Sequence, residues 1–304
     1  MNSSLNSRPL FQAALLQSLV LGHYEGSVEV KELKRQGDFG IGTFDSLDGE
    51  LVMCRGRVYQ VNGRGEVKEA DDRWKVPFAD VFFFETDRTL PMKDISSLDE
   101  LREKADGFIK NWGPNYFYGI RIHGTFEKVY ARSEKAQKKP YVRLDEVMKK
   151  DQVEFQFEHT EGTLIGLYCP SFMGGLNMPG YHFHYLSDDR KEGGHVFDVC
   201  MKEGKAEFCL LSDFKLKLPR SSGFGKIDFN ENLEDAGKKG GRWKIEGSSR
   251  ADYTGKSLSG LSSREALIKS LFAFILEFLC NARNGLTRIA SYLRKPMTKQ
   301  CIKI

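Results

Sequence analysis

Two periods of apolar and polar positions divide this chain, and the shorter one dominates. Residues 116–129 (YFYGIRIHGTFEKV) alternate apolar with polar side chains, and 153–168 reads as two further strands, VEFQFEHT and GTLIGLY. A period of two puts one face of a strand on a core and the other toward water. Asp48-Gly49 and Asn62-Gly63 are tight-turn pairs that set ELVMC and VYQV into a β-meander. The nearly continuous apolar run 78–84 (FADVFFF) predicts a strand buried on both faces. Residues 205–218 (KAEFCLLSDFKLKL) add two short strands. Helical spacing is rarer. It predicts helices over 10–21 (LFQAALLQSLVL) and 98–112, while 28–34 (VEVKELK) reads as a strand or a strand passing into a helix. Late in the chain, Leu267, Leu271, Phe272, Ile275 and Phe278 recur at helical intervals and predict an amphipathic helix over 264–280.

These elements predict an α+β protein built on mixed, largely antiparallel sheets. Two domains are expected, 1–140 and 141–254, with the sheets dividing in the lysine-rich stretch 134–151. Residues 237–260, rich in Gly, Ser and Lys, read as a linker into a basic helical extension over 255–304.

Composition narrows the class. The 304 residues are 40% hydrophobic with 22 phenylalanines, which predicts large aromatic cores. A formal charge of +4 is too small to argue for nucleic acid. From Lys238 onward 14 Lys/Arg face four acids, so the mildly acidic body carries a basic tail. The six cysteines form no CxxC pair and predict reduced thiols in a cytoplasmic protein. No secretory leader and no transmembrane segment are expected.

The chemistry concentrates in Met178-Pro179-Gly180-Tyr181-His182-Phe183-His184-Tyr185 and the following polar run to Gly193-Gly194-His195, which holds three of the six histidines. His182 and His184 share a face if this is a strand. The polar run closes on two glycines, as a hairpin loop does. A partner strand starting at His195 returns a third imidazole to that face, about 4.8 Å away. Three imidazoles without cysteine favour zinc, and three protein ligands leave positions open, the mark of a catalytic site. Periodicity alone reads Glu50, after the Asp48-Gly49 turn, and Arg132, beyond the alternating strand, as ordinary solvated residues.

Longer strings change that reading. GDFGIGTFDSLDGELV with VYQV and VPFADV behind it, GIRIHGTFEKVYARS with Lys139-Pro140-Tyr141, GTLIGLYCP, and PGYHFHYLSDDRKEGGHVFD together resemble the α-acetolactate decarboxylase family. The resemblance runs from about residue 10 to 214 and implies a two-domain fold and a homodimer. It implies zinc-dependent conversion of (S)-2-acetolactate to (R)-acetoin and carbon dioxide, in acetoin and butanediol biosynthesis. It further implies zinc ligation by His182, His184 and His195, catalytic roles for Glu50 and Arg132, and Thr43 near the substrate. A second family glutamate, in a Glu-Gly pair, matches Glu246-Gly247. Two other readings stay open. One is a cupin-like iron dioxygenase, with Asp188 or Asp189 as a fourth ligand. The other is an inactive metal-binding relative whose basic tail serves a partner.

Overall fold

The computed structural model describes residues 8–229. Glu246, the predicted helix over 264–280 and the basic extension lie outside the described residues. Strands dominate: β1 (Pro9–Ala13), β2 (Val28–Glu29), β3 (Phe39–Thr43), β4 (Glu50–Cys54), β5 (Arg57–Val61), β6 (Val67–Glu69), β7 (Lys75–Val76), β8 (Phe78–Phe82), β9 (Arg88–Ile95), β10 (Phe117–Glu134), β11 (Gln152–Cys169), β12 (Gly180–Ser187), β13 (Gly193–Leu211) and β14 (Asp213–Lys217). The α-helices among the described residues are α1 (Leu16–Val20), α2 (Val30–Leu33), α3 (Leu98–Trp112) and α4 (Leu144–Lys150). The balance is therefore mostly β rather than an even α+β mixture.

A seven-stranded sheet runs β14-β1-β8-β3-β4-β5-β6, and a five-stranded sheet runs β10-β11-β12-β13-β9. In the second sheet β10 also pairs with β13, so β10 to β13 form a closed hydrogen-bonded circuit. Among the described residues, every pairing between these strands is antiparallel except β1 with β14. The sheets divide between β8 and β9, not in 134–151, and β14 crosses back to the first sheet. The lysine-rich stretch instead carries α4, which caps no sheet boundary but buries Leu144 and Val147.

One apolar cluster packs α3, through Leu101, Ala105 and Ile109, on the five-stranded sheet. A second joins the two sheets, with Phe39, Ile41 and Val52 from one facing Ile165, Leu167 and Leu186 from the other. A third, with Phe11, Leu33 and Val81, covers the opposite face of the seven-stranded sheet. That sheet is thus buried on both faces, which explains why all five residues of β8 are buried.

Two sequence expectations fail, the first because of this double burial. Residues 10–21 are not one helix. Their first part is β1, hydrogen-bonded to β8 and β14, and only Leu16–Val20 is helical after a turn at Ala14 (φ 61°). A run apolar at nearly every position satisfies either period, and pairing on both edges selects the strand. Residues 153–168 belong to one 18-residue strand rather than two, bent at His159 (φ 50°).

Candidate metal centre

The histidine hairpin forms as its pattern predicts. β12 carries His182 and His184 on one face, and His184 pairs directly with His195 in β13. The three rings converge with centroids 4.7 to 5.3 Å apart. His182 Nε2 lies 3.1 Å from His195 Nδ1 and 3.2 Å from His184 Nε2. His184 is fully buried, and its Nδ1 donates to the Leu51 carbonyl of β4 at 2.8 Å. That bond fixes the tautomer and leaves the Nε2 lone pair for the centre.

Burial disfavours charge on all three rings. It lowers His184 to about 3, against the raising effect of the Leu51 carbonyl, and Arg132 adds to the lowering. His182 and His195 are also driven well below the usual imidazole range, again mainly by burial. Neutral imidazoles offer lone pairs. A single proton on His182 Nε2 can satisfy only one of its two imidazole neighbours, so at least one close nitrogen pair lacks a hydrogen. Such a donor set suits a cation.

β4 brings Glu50 to the same point from the other sheet. Its Oε2 is 3.4 Å from His184 Nε2, and its Oε1 is 3.9 Å from His195 Nδ1. The turn that launches Glu50 is held by two side chains: Thr43 Oγ1 donates to the Gly49 carbonyl at 2.8 Å, and Gln60 Nε2 donates to the Asp48 carbonyl at 2.6 Å. Gly49 takes φ 80°, and a Cβ there would meet the Val61 carbonyl oxygen at 2.3 Å, so the turn needs glycine. Thr43 also lies opposite Glu50 in the β3–β4 register.

Arg132 lies opposite His195 in the β10–β13 register, and its Nη1 donates to Gln152 Oε1 at 2.8 Å. Its charge reaches the whole cluster, since it opposes the rise of Glu50 and deepens the fall of each imidazole. Glu50 is only 7% exposed. Burial pushes its carboxyl well above the usual carboxylate range, and a second acid, Glu134, adds to that rise. The one sequence signal for Glu134 is its place two residues after Arg132, on the same face of β10.

Asp188 and Asp189, the fourth ligands of a cupin-like site, are engaged elsewhere. Asp188 Oδ2 meets His123 Nε2 at 2.9 Å on the exposed surface, and Asp189 Oδ1 accepts from Ser187 Oγ at 2.7 Å. The carboxylate beside the imidazoles is Glu50.

The family model described as alpha-acetolactate decarboxylase matches residues 10–231. The chain belongs to the alpha-acetolactate decarboxylase family. Within that family, the alpha-acetolactate decarboxylase of Methanosarcina mazei is 38% identical over 226 residues, 74% of this chain and 77% of the relative. The Brevibacillus brevis protein of the same name is 35% identical over 222 residues, 73% of this chain and 77% of the relative. The crystal structure of alpha-acetolactate decarboxylase from Bacillus subtilis strain 168 superposes with a TM-score of 0.72 at 32% identity, over 75% of this chain and 96% of that one. In this alpha-acetolactate decarboxylase family member the two-sheet arrangement sets Glu50 against the hairpin.

Proposed function

We propose that this protein decarboxylates (S)-2-acetolactate to (R)-acetoin and carbon dioxide, with zinc held by His182, His184 and His195. The observation that carries the reading is the imidazole cluster with a buried carboxyl against it, in a chain of this family. The ligand atoms fit the ion. Nitrogens about 2.0–2.1 Å from a tetrahedral zinc sit about 3.3 Å from one another, and the two close pairs here are at 3.1 and 3.2 Å. When bound, zinc supplies Lewis-acid polarisation of substrate oxygens.

The chain's own residues do the rest. Arg132 presents a planar guanidinium that suits the substrate carboxylate before it leaves. Departure of carbon dioxide leaves an enediolate, which must gain a proton on one face. Glu50 holds that proton: burial keeps its carboxyl protonated to higher pH than an exposed glutamate. Thr43 acts through the turn, since its hydroxyl is bonded to the Gly49 carbonyl beside Glu50. Glu246 is a further proton carrier on the resemblance alone. A homodimer is expected on the same resemblance. A cytoplasmic setting accords with Cys54, Cys169 and Cys209, which are buried free thiols, and among the described residues no helix is long and apolar enough to cross a membrane.

Incubation with racemic acetolactate, with and without a chelator, tests the proposal. Acetoin should form from half of the substrate, stop on chelation and resume with zinc. Turnover that persists without metal overturns it.

A further inference from the structure

The loop between β12 and β13 ends at Glu192, and two glycines separate Glu192 from His195. Glycine backbones accept many conformations, so Gly193-Gly194 alone cannot fix where the third imidazole lands. The ladders around it are thin. β12 and β13 share three residue pairs, Leu186 with Gly193, Tyr185 with Gly194 and His184 with His195. On the other side, the β10–β13 register slips between Tyr130 and Ala131, next to the Arg132–His195 pair. The placing of His195 therefore depends on what holds the residue before the glycines.

Glu192 is held through three of its groups. Its N–H donates to Ser187 Oγ at 2.9 Å, and its carbonyl accepts from the Ser187 N–H at 2.9 Å, which closes the loop on itself. Its carboxylate Oε2 accepts from Thr160 Oγ1 of β11 at 2.8 Å. The Thr160 hydroxyl is also 2.8 Å from the Tyr185 hydroxyl. A threonine hydroxyl has one hydrogen. Thr160 gives it to Glu192, so Tyr185 is the donor to Thr160. The three side chains form a one-way relay from β12 through β11 to the loop.

The relay lies behind the histidine face. Thr160 and Tyr185 are buried, and the Tyr185 ring packs on Phe126 and Phe157 with centroids 5.5 and 6.1 Å away. Neighbouring side chains on a strand point to opposite faces. Tyr185 therefore anchors the back of β12 where His184 occupies the front. Its register partner, Gly194, is the residue before His195. A buried hydroxyl is costly unless bonded, and this one is bonded into the chain that grips the loop.

We propose that Glu192 is a positioning residue for the metal centre: through Thr160 and Tyr185 it fixes the hairpin loop so that His195 meets His182 and His184 at ligand distance. This rests on the reading of the three imidazoles as zinc ligands. It assigns Glu192 no contact with metal or substrate and adds no step to the reaction.

The test uses the full-length protein with Glu192→Ala, Glu192→Gln, Thr160→Val and Tyr185→Phe. Three readouts are taken for each: the zinc dissociation constant by competition with a chelator, the absorption spectrum of the cobalt(II) form, and the melting temperature of the metal-free form. Glu192→Ala and Thr160→Val should bind zinc about 10-fold more weakly, with a cobalt spectrum that reports altered ligand geometry. Glu192→Gln, whose amide oxygen still accepts from Thr160, should recover most of the affinity and the wild-type spectrum. Tyr185→Phe leaves the Thr160–Glu192 bond in place and should lose less than Thr160→Val. If Thr160→Val does not fold, the two Glu192 variants decide. A lower melting temperature in Glu192→Ala with unchanged zinc affinity and spectrum makes the relay a support of the fold alone and overturns the proposal. Equal losses of affinity in Glu192→Ala and Glu192→Gln overturn it too. Zinc uptake by the wild type that His182→Ala leaves unchanged would instead overturn the zinc reading.

Discussion

His184 Nδ1 lies 2.8 Å from the carbonyl oxygen of Leu51, the residue that follows Glu50. One hydrogen bond thus ties a cluster imidazole of the five-stranded sheet to the strand of the seven-stranded sheet that carries the acid. It sets the ring's tautomer and the separation of the two groups together. His184→Ala removes both effects. Zinc per chain should fall from one to near zero, and acetoin formation should drop by at least about 100-fold. Metal analysis of the purified variant beside a kinetic assay checks both.

Gly194 precedes the cluster residue His195 and takes φ 140°. A Cβ there would lie 2.6 Å from the carbonyl oxygen of Arg132. Gly194→Ala therefore strains the backbone and forces β13 from β10 at the point where His195 opposes Arg132. Expected are weaker zinc binding by about 10-fold or more and a matching loss of activity, with much of the fold intact. A competitive chelator titration, with circular dichroism as the fold check, measures it.

The site was legible where its signal is local. His182, His184 and His195 are two strand positions and a hairpin partner, and Asp48-Gly49 marks the turn before Glu50. Other parts have no local signal. The Leu51 carbonyl is a backbone atom that any residue would supply. Glu134 sits in a charged stretch whose composition suggests water, yet it is buried, next to Ser133, whose hydroxyl bonds to Val61 of the other sheet. The same holds for residues 10–21. Leu10 and Phe11 are apolar because β1 lies inside a doubly covered sheet, a fact set by β8 and by β14, about 200 residues away.

Asp80, in the centre of β8, is fully buried, and burial raises its carboxyl to about 7 against the lowering effect of the Asn177 side-chain amide that donates to it. Asn177 lies in the loop leading to the histidine strand and also donates to Gln12. A folded-state value above the unfolded one means that the native state binds the proton more tightly. The stabilisation is complete below about pH 4 and is lost as pH rises through about 7. The slope approaches about 1.4 kcal/mol per pH unit within that window. Asn mimics the protonated acid in shape, so Asp80→Asn should flatten the decline. Denaturant melts of both proteins between pH 4.5 and 8 compare the slopes, and parallel slopes would refute the assignment.

Arg132 offers the last and most specific test. Its Nη1 is already held by Gln152 Oε1 at 2.8 Å, which orients the guanidinium plane. A lysine keeps the charge but loses both the fork and that orientation. If Arg132 grips the substrate carboxylate through two parallel hydrogen bonds, Arg132→Lys loses the pairing in the bound substrate and in the departure of carbon dioxide alike. KM should rise and kcat/KM should fall on the order of 100-fold. Metal content should stay at the wild-type value, because the charge facing His195 is retained. Gln152→Ala should give a smaller loss of the same kind, since it removes the support and leaves the guanidinium. Steady-state kinetics of the two variants decide the matter. If Arg132→Lys matches the wild type, the guanidinium serves only as charge, and the carboxylate must be held by another group.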